Sequence, residues 1–300
     1  MKEMQIMNCS KKIIITGASG LIGKEALEPL LKSGFEVYAI TSKIFSKNTK
    51  INWIKCDIFD YQKIEEIFQT IKPSYLLHFA WTTEIGYLHL AINNNFVDAS
   101  INLLKEFAKN GGKRAVFAGT CFEYELGKNT PIKETDKIEP NTLYAECKNR
   151  LNILASNFAS NNNISFGWGR IFYVYGHNEH NHRLVGNLIH SIKNNTEFII
   201  KTPYLERDYM YTKDIAKAFV NFLESKVEGN VNICSGNPIR IIDLSREFLN
   251  QANAENLLKI EETQIAQPQT IVGDNFRLKN EILFEPSYSI KEAVNNILKN

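Results

Sequence analysis

The chain has 300 residues, 44% of them hydrophobic and 23% charged, which is the composition of a globular protein with one large core and room for a smaller lobe. Disordered and fibrous classes are therefore excluded. A net charge of +2 supplies no field that would gather nucleic acid or an anionic membrane, so we expect neither as a partner.

In chain order, short β-branched or aromatic runs alternate with longer amphipathic runs. The strand-like runs are residues 12–16, 35–41, 52–56, 75–79, 114–119 and 165–172, with a later one at 231–233. The gaps hold helix-like runs, such as residues 23–33 and 61–71. Strands that alternate with helices build βαβ units and a parallel sheet covered on both faces. The sequence predicts an α/β fold with a doubly wound, Rossmann-like parallel sheet.

The regular alternation fails after residue 175. A polar, histidine-bearing stretch at residues 177–183 precedes a helix-like run at 184–193, and the tail at 243–300 is broken by prolines and a glycine. We expect a dinucleotide-binding domain and a smaller C-terminal substrate lobe against the carboxyl edge of the sheet. The expected domain comprises residues 1–174 and 208–234, and the expected lobe comprises residues 175–207 and 235–300.

A glycine-rich turn follows the first predicted strand, where residues 11–23 read KKIIITGASGLIG. Gly17, Gly20 and Gly23 allow a tight turn and a close approach to a pyrophosphate, whose charge suits the positive end of the following helix. The spacing is GxxGxxG rather than GxGxxG, and an ordinary glycine turn is the alternative. The strand before and the helix after favour a dinucleotide site.

The end of the second strand bears on the choice of cofactor. NAD-preferring sites place an acidic residue there to bind the ribose 2′-hydroxyl. This strand ends in Thr41, Ser42 and Lys43, whose hydroxyls and ammonium suit a 2′-phosphate. We therefore predict NADP(H) as the preferred cofactor and NAD as the alternative. The competing interpretation is that the three residues are solvated loop residues.

A tyrosine and a lysine four residues apart, Tyr144 and Lys148, lie on one face of a predicted helix. A free phenol has a pKa near ~10, and a nearby cation favours its ionised form. Tyr144 could then exchange a proton with a carbonyl oxygen as hydride moves at the attached carbon. Thr120 closes a predicted strand at its carboxyl end, where its hydroxyl could hold the same oxygen. The alternative interpretation is that Tyr144 and Lys148 are an ordinary pair of exposed residues on one helix.

The cysteines and histidines predict no further chemistry. The cysteines are odd in number and form no CxxC pair: Cys9, Cys56, Cys121, Cys147 and Cys234. They indicate a reducing compartment rather than a disulfide framework or zinc site. We predict no metal, because no ligand spacing joins the histidines His177, His180, His182 and His190. Residues 1–10 carry no signal-peptide pattern and no run reaches a membrane span, so we expect a cytoplasmic protein.

Several segments together resemble the extended short-chain dehydrogenase/reductase superfamily, in its nucleotide-sugar epimerase/dehydratase/reductase branch. They are TGASGLIG from Thr16, KCDIFD with Asp57, HFAW from His78, Thr120, YAECK from Tyr144, RIFYVYG from Arg170 and RDYMYTKD from Arg207. The similarity covers nearly the whole chain. It implies a nicotinamide-dependent enzyme with a nucleotide-sugar substrate.

The resemblance also implies roles for individual residues. Thr120, Tyr144 and Lys148 match the catalytic triad, and Asp57 matches the carboxylate that faces the adenine amine. The remaining residues expected at the cofactor are Gly17, Ser19, Gly20, Leu21, Ile22, Gly23, Ile58, Phe79, Ala80 and Trp81. Arg207 matches an arginine that holds the substrate's phosphates, for which its planar fork is suited, and Arg183 is also expected at the substrate. A surface salt bridge is the alternative role for Arg207. In proteins of this branch, the helices that correspond to residues 91–110 and 144–160 pair across a dimer axis. The resemblance therefore implies a homodimer.

Three functions remain open: reduction of a keto sugar, epimerisation on a retained cofactor, and a non-catalytic binding role, against which the intact triad argues. Dehydratases of this branch place an Asp-Glu pair directly after the threonine, where this chain has Cys121 and Phe122. Combined epimerase–reductases carry a cysteine at the second of these positions. We predict an NADPH-dependent reductase of a nucleotide-diphosphate-linked 4-keto-6-deoxyhexose in cell-surface sugar biosynthesis. The alternative is a C4 epimerase with bound NAD.

Overall fold

A computed structural model describes residues 11–43, 50–127, 130–263 and 267–299. Residues 1–10, including Cys9, lie outside the described residues, so the expectations that depend on them stay predictions. The strands are β1 (Lys11–Thr16), β2 (Phe35–Thr41), β3 (Asn52–Lys55), β4 (Tyr75–His78), β5 (Arg114–Thr120), β6 (Ser165–Ile171), β7 (Tyr173–Tyr175), β8 (Phe198–Ile200), β9 (Glu206–Arg207), β10 (Tyr209–Tyr211), β11 (Gly229–Ile233), β12 (Ile239–Arg240), β13 (Leu258–Ile260) and β14 (Thr270–Ile271). The helices are α1 (Gly23–Lys32), α2 (Tyr61–Ile71), α3 (Ile92–Lys109), α4 (Leu143–Asn161), α5 (Leu184–Asn194), α6 (Thr212–Glu224), α7 (Ile241–Gln251), α8 (Phe276–Asn280) and α9 (Ile290–Leu298).

The central sheet is parallel, and within the described ranges it has seven strands in the spatial order β11-β6-β5-β4-β1-β2-β3. The strand order reverses at β1, with β2 and β3 on one side and β4, β5, β6 and β11 on the other. Such a reversal opens a crevice at the carboxyl ends of the strands, where ligands bind in doubly wound sheets. The predicted α/β, Rossmann-like fold is confirmed.

Strand β1 illustrates why helices cover both faces of the sheet. Successive side chains of a strand point to opposite faces, and here both sets are apolar. Ile13 and Ile15 pack into a core with helices α1 and α6, whereas Ile14 packs into a second core with α2, α3 and α4. A strand buried on both faces must lie inside the sheet, which is where β1 is found.

The run predicted as one strand over residues 165–172 differs from the structure. Strand β6 ends at Ile171, and β7 then pairs with β10 in a separate two-stranded sheet. Phe172 lies at the break: its N–H donates to the carbonyl of Ile233 at 3.2 Å, and its side chain enters a small separate core. The break directs β7 away from the main sheet and toward the crevice.

The chain around α5, α7 and α9 has its own apolar core. Its strands are only two or three residues long and pair in small sheets, β12-β9-β14 and β13-β8. Short strands give this part little backbone pairing, so buried side chains join its loops. Asp208 accepts hydrogen bonds from Ser235, Gly236 and Gly273, and Asp214 accepts from Ser287 and Tyr288. The predicted boundaries between domain and lobe stay predictions.

Candidate active site

The turn between β1 and α1 leaves no space for a side chain at Gly17 or Gly23. Gly17 has a φ of +64°, and a Cβ atom there would lie 2.7 Å from the backbone nitrogen of Ala80. A Cβ on Gly23 would lie 2.2 Å from the Gly17 carbonyl oxygen. Ile22, the residue before α1, provides no side-chain cap for the helix. The turn is therefore a backbone cradle in front of a helix N-terminus, which fits the pyrophosphate of a dinucleotide.

One cavity, which we name the first cavity, extends from this turn to the ends of β2 and β3. It has a volume of about 470 Å³. It brings together most of the residues expected at the adenosine half of the cofactor: Gly17, Ser19, Gly20, Leu21, Thr41, Ser42, Lys43, Asp57, Ile58, Phe79, Ala80 and Trp81. Asp57 is exposed, and its carboxylate accepts a hydrogen bond from the Phe59 N–H. The roles of these residues stay predictions.

Thr41 does not offer its hydroxyl to a ligand as the sequence analysis expected. The side chain is buried, its Oγ1 donates to Ser19 Oγ at 3.2 Å, and it accepts from the Lys43 N–H at 3.1 Å. A hydroxyl carries a single hydrogen, and the Ser19 contact uses it. Ser42 and Lys43 are exposed at the same cavity. These two residues are therefore the more accessible candidates for a contact to a 2′-phosphate, and the prediction for all three stays a prediction.

The three predicted catalytic residues meet in a second space, the central cavity, of about 450 Å³. Tyr144 and Lys148 project from the first turns of α4, and Thr120 ends β5. Tyr144 and Thr120 both line this cavity. Lys148 Nζ donates to the Ala118 carbonyl at 2.9 Å and lies 3.8 Å from the centroid of the Trp81 ring. The central cavity continues into the first cavity along Gly17, Gly20 and Leu21.

Burial controls the protonation of this group. It raises the pKa of Tyr144 well above the usual phenol value, with only a partial opposing effect from the Thr120 side chain. This direction is opposite to the one expected from the sequence, because the burial of the phenol itself is the largest influence on its pKa. Burial lowers the pKa of Lys148 to about 7, and the negative charge of Glu123 acts in the opposite sense. Tyr144 is thus held as a neutral phenol, a form that can donate a proton.

A buried histidine links β1 and β4 beneath the cofactor turn. His78 Nδ1 lies 2.6 Å from Thr16 Oγ1, and His78 Nε2 lies 2.8 Å from Ser100 Oγ. The Ser100 hydroxyl donates to the Phe96 carbonyl, so we assign the ring hydrogen to Nε2. Burial lowers the pKa of His78 to about 3. A neutral imidazole here is a structural link between two strands rather than a proton donor.

The substrate end of the crevice contains the two predicted arginines in different settings. Arg207 lines an outer cavity of about 580 Å³, but the residue is only 2% exposed. Its guanidinium donates to the Pro268 and Gln269 carbonyls and to Gln267 Oε1. It is therefore not a surface residue. Arg183 is half-buried, lines both the first and the central cavity, and lies over the Tyr87 ring. Arg183 has the more available guanidinium.

Several cavity residues were not identified from the sequence. They come from separate loops and strands of the fold: Tyr87, Phe122, Tyr173, Glu179 and Tyr209. Tyr87 packs edge-on against Tyr144 with ring centroids 5.0 Å apart. Glu179 is buried, lines both the first and the central cavity, and burial raises its pKa to about 8. None of these five residues has a spacing in the sequence that would identify it as a site residue. Only the polar character of residues 177–183 indicated that this segment could line a site.

No group of three or more His, Cys, Asp or Glu side chains in the described ranges could hold a metal ion. His180 and His182 stack on each other at 5.3 Å between ring centroids, without a third ligand in that part of the chain. Within the same ranges, every helix is too short or too polar to cross a lipid bilayer.

The fold and the cradle define a nucleotide-binding α/β protein with a Tyr-Lys pair at the carboxyl edge of its sheet. Residues 13–234 match the model of the NAD dependent epimerase/dehydratase family, and the chain belongs to this family. The resemblance read from the sequence is thereby confirmed.

Two curated proteins and one solved structure are similar to this chain over most of its length. The dTDP-6-deoxy-L-talose 4-dehydrogenase (NAD(+)) of Aggregatibacter actinomycetemcomitans is 28% identical over 83% of this chain and 92% of that protein. The CDP-abequose synthase of Salmonella typhimurium is 24% identical over 72% of this chain and 71% of that protein. A UDP-glucose 4-epimerase of Thermotoga maritima, solved with UDP-glucose, superposes with a TM-score of 0.83 at 21% identity, covering 96% of this chain and 97% of that one.

Proposed function

We propose that this protein is an NADPH-dependent reductase of the 4-keto group of a nucleotide-diphosphate-linked 4-keto-6-deoxyhexose, in cell-surface sugar biosynthesis. One observation carries the proposal. Tyr144, Lys148 and Thr120 meet in one cavity, and the two residues that follow Thr120 in the chain supply no acid–base group for elimination. Cys121 is buried in a small apolar core, and Phe122 presents an aromatic ring to the cavity. Hydride transfer with proton transfer is the chemistry that these residues support.

The proposed roles follow from the geometry. A bound nicotinamide cofactor would supply the hydride. Tyr144, protonated because its pKa is raised, would donate a proton to the substrate oxygen, and Thr120 would hold that oxygen. Lys148 would stabilise the phenolate that remains, which requires its cationic form. The raised pKa of Tyr144 favours the reductive direction, in which the phenol starts protonated.

The 4-dehydrogenase of a dTDP-linked 6-deoxyhexose among the relatives supports redox chemistry at C4 of such a sugar. The name of that relative gives NAD(+) as its cofactor. We propose NADPH for this chain because Ser42 and Lys43 line the first cavity. A second candidate is C4 epimerisation on bound NAD, which the similarity to 4-epimerase structures favours. A non-catalytic binding protein is the least favoured, because it would have no use for Thr120, Tyr144 and Lys148 together in one cavity.

The test follows nicotinamide absorbance with NADPH and with NADH, using 4-keto-6-deoxyhexoses linked to different nucleotides, and identifies products by NMR. We expect stoichiometric NADPH consumption and formation of a 4-hydroxy sugar. The Tyr144→Phe variant measures the background. Interconversion of two sugars without net cofactor consumption would establish the epimerase instead. Consumption of NADH in preference to NADPH would retain the reductase and overturn the cofactor assignment.

We extend the proposal to assembly and location. We propose a cytoplasmic homodimer in which α3 and α4 of each copy form a four-helix interface. Ile92 on α3 and Ile153 and Leu154 on α4 are exposed apolar residues that such an interface would cover. Residues 1–174 and 208–234 would bind the dinucleotide, and residues 175–207 and 235–300 would bind the sugar nucleotide. Sedimentation of the wild type and of Ile153→Glu tests the dimer, which the charged side chain should dissociate.

A further inference from the structure

A buried carboxyl group lies where the first cavity and the central cavity meet. Glu179 is 9% exposed and lines both cavities, as do Gly17 and Gly20 of the cradle. Its Oε2 atom has no hydrogen-bond partner among the described residues. Buried polar atoms in proteins are almost always hydrogen-bonded, which makes this oxygen a candidate contact for a ligand in the crevice.

The backbone around Glu179 is held between two helices. Lys24, in the first turn of α1, donates from Nζ to the His177 carbonyl at 3.0 Å. On α5, a Cβ on Gly186 would lie 2.2 Å from the His180 carbonyl oxygen and 2.7 Å from the Glu179 carbonyl oxygen, so the helix packs on this segment only with a glycine there. These contacts fix the segment of Glu179 beside the start of α1, where the cradle fits a diphosphate.

Burial and the expected ligand both favour the neutral form of this carboxyl group. Burial raises the pKa of Glu179 to about 8, with a partial opposing effect from Arg183. A diphosphate at the cradle would add negative charge, which also disfavours ionisation of a carboxyl group. A neutral carboxyl group has an O–H that can donate to a diphosphate oxygen, whereas a carboxylate and a diphosphate are both acceptors.

We propose that Glu179 is a cofactor-binding residue, which contacts the bound dinucleotide as a neutral carboxylic acid and donates a hydrogen bond from its free oxygen to the diphosphate. Arg183 lines the same two cavities and would supply the positive charge, while the cradle would supply backbone N–H groups. The inference rests on the proposed dinucleotide site. It is the same for a reductase and for an epimerase, and its test needs no turnover.

The first measurement is calorimetric titration of the full-length protein with NADPH and with NADH at about pH 7. Glu179→Ala removes the hydrogen-bonding group, and we expect both dinucleotides to bind about tenfold more weakly, as for the loss of one hydrogen bond to a charged group. Glu179→Gln has nearly the same size, and its N–H₂ can donate in place of the O–H, so its affinities should stay close to wild type. Glu84→Gln, at an exposed carboxylate that lines the first cavity, is the matched control and should leave both affinities unchanged.

The second measurement repeats the titrations at about pH 9, where about a tenth of a group with a pKa of about 8 is still protonated. Burial lowers the pKa of Lys148 to about 7, so this lysine loses charge over the same range in every variant. We therefore expect the wild-type affinity to fall between the two pH values about tenfold more than the affinity of Glu179→Gln. The other charged or ionisable groups that line the two cavities are common to both proteins and include Lys43, Asp57, Glu84, His180, His182, Arg183 and Tyr209.

Thermal denaturation at both pH values verifies that each variant is folded. If Glu179→Ala unfolds, Glu179→Gln still carries the test, because it keeps the size of the side chain. Equal falls in affinity for the wild type and Glu179→Gln would overturn the proposal, as would unchanged dinucleotide affinity in folded Glu179→Ala. Tighter binding of NADH than of NADPH by the wild type would overturn the cofactor assignment made above and not this proposal, because both dinucleotides carry the same diphosphate.

Discussion

The two sides of the crevice position their ligand-facing groups by different means. On the sheet side, backbone contacts determine the geometry: the Gly17 carbonyl and the Ala80 nitrogen leave no space for a Cβ. On the lobe side, strands of two or three residues provide few backbone hydrogen bonds, and single buried carboxylates do the joining. The carboxylate of Asp208, the residue between β9 and β10, accepts hydrogen bonds from the loops at Ser235 and Gly273. The comparison predicts that losing a polar side chain costs more stability at the lobe's loops than on the sheet side, where added side chains rather than lost ones disturb the geometry.

The largest effect should come from a side chain that neither region needs for folding. Tyr144→Phe removes the phenol oxygen and keeps the ring that packs against Tyr87 and Trp81. We expect turnover to fall by about 10²–10⁴-fold, the usual contribution of a general acid, while the melting temperature and cofactor affinity stay close to wild type. Steady-state rates, with calorimetric titration of the cofactor, measure both. A near-normal rate would remove Tyr144 from the proposed mechanism.

The glycine turn provides a matched pair of substitutions on the sheet side. A Cβ at Gly23 would lie 2.2 Å from the Gly17 carbonyl oxygen, whereas one at Gly20 would lie 3.1 Å from it. Gly23→Ala should therefore displace the turn and weaken dinucleotide binding by about 100-fold or more, equivalent to about 3 kcal/mol. Gly20→Ala should have a clearly smaller effect. Equal affinities for the two variants would show that the turn is not the rigid cradle described above.

The same contrast explains what the sequence could and could not predict. The fold was predictable because strands such as β1 carry apolar residues on both faces and because glycine spacing reports backbone crowding. The Tyr144 and Lys148 spacing was predictable because four residues make about one helical turn. The high pKa of Tyr144 was not, since it depends on burial by residues distant in sequence, such as Tyr87. Helix α6 was also missed, although its apolar positions have helical spacing.

A substitution at Asp208, which accepts hydrogen bonds from loops of the lobe, measures how much the lobe depends on this carboxylate. Asp208→Ala leaves the part-buried N–H groups of Ser235 and Gly236 and the buried N–H of Gly273 without their acceptor. An unsatisfied buried donor costs about 1–3 kcal/mol, so we expect the free energy of unfolding to fall by about 3 kcal/mol or more. Urea denaturation measures this change. Asp57→Ala, at an exposed carboxylate of the first cavity, should change stability by under about 0.5 kcal/mol, and a similar loss in both variants would contradict the comparison.

The smallest effect should come from a side chain that is exposed to solvent. Lys43 is exposed at the first cavity, and with Ser42 it is the group left to contact a 2′-phosphate once the Thr41 hydroxyl is committed to Ser19. A charge-assisted hydrogen bond contributes roughly 1.5–3 kcal/mol, but exposure reduces such a contribution to about 1 kcal/mol. We therefore expect Lys43→Ala to reduce the preference for NADPH over NADH by about fivefold, through weaker NADPH binding and unchanged NADH binding.

Lys55→Ala removes an exposed lysine at the end of β3 and controls for net charge. Fluorescence titration with both cofactors at two salt concentrations measures the change, because the Lys43 contribution should shrink as salt rises. Equal losses of NADPH affinity in the two variants would mean that general charge, and not a contact from Lys43, attracts the extra phosphate. No preference for NADPH in the wild type would assign the chain to NAD and leave Ser42 and Lys43 as solvated loop residues.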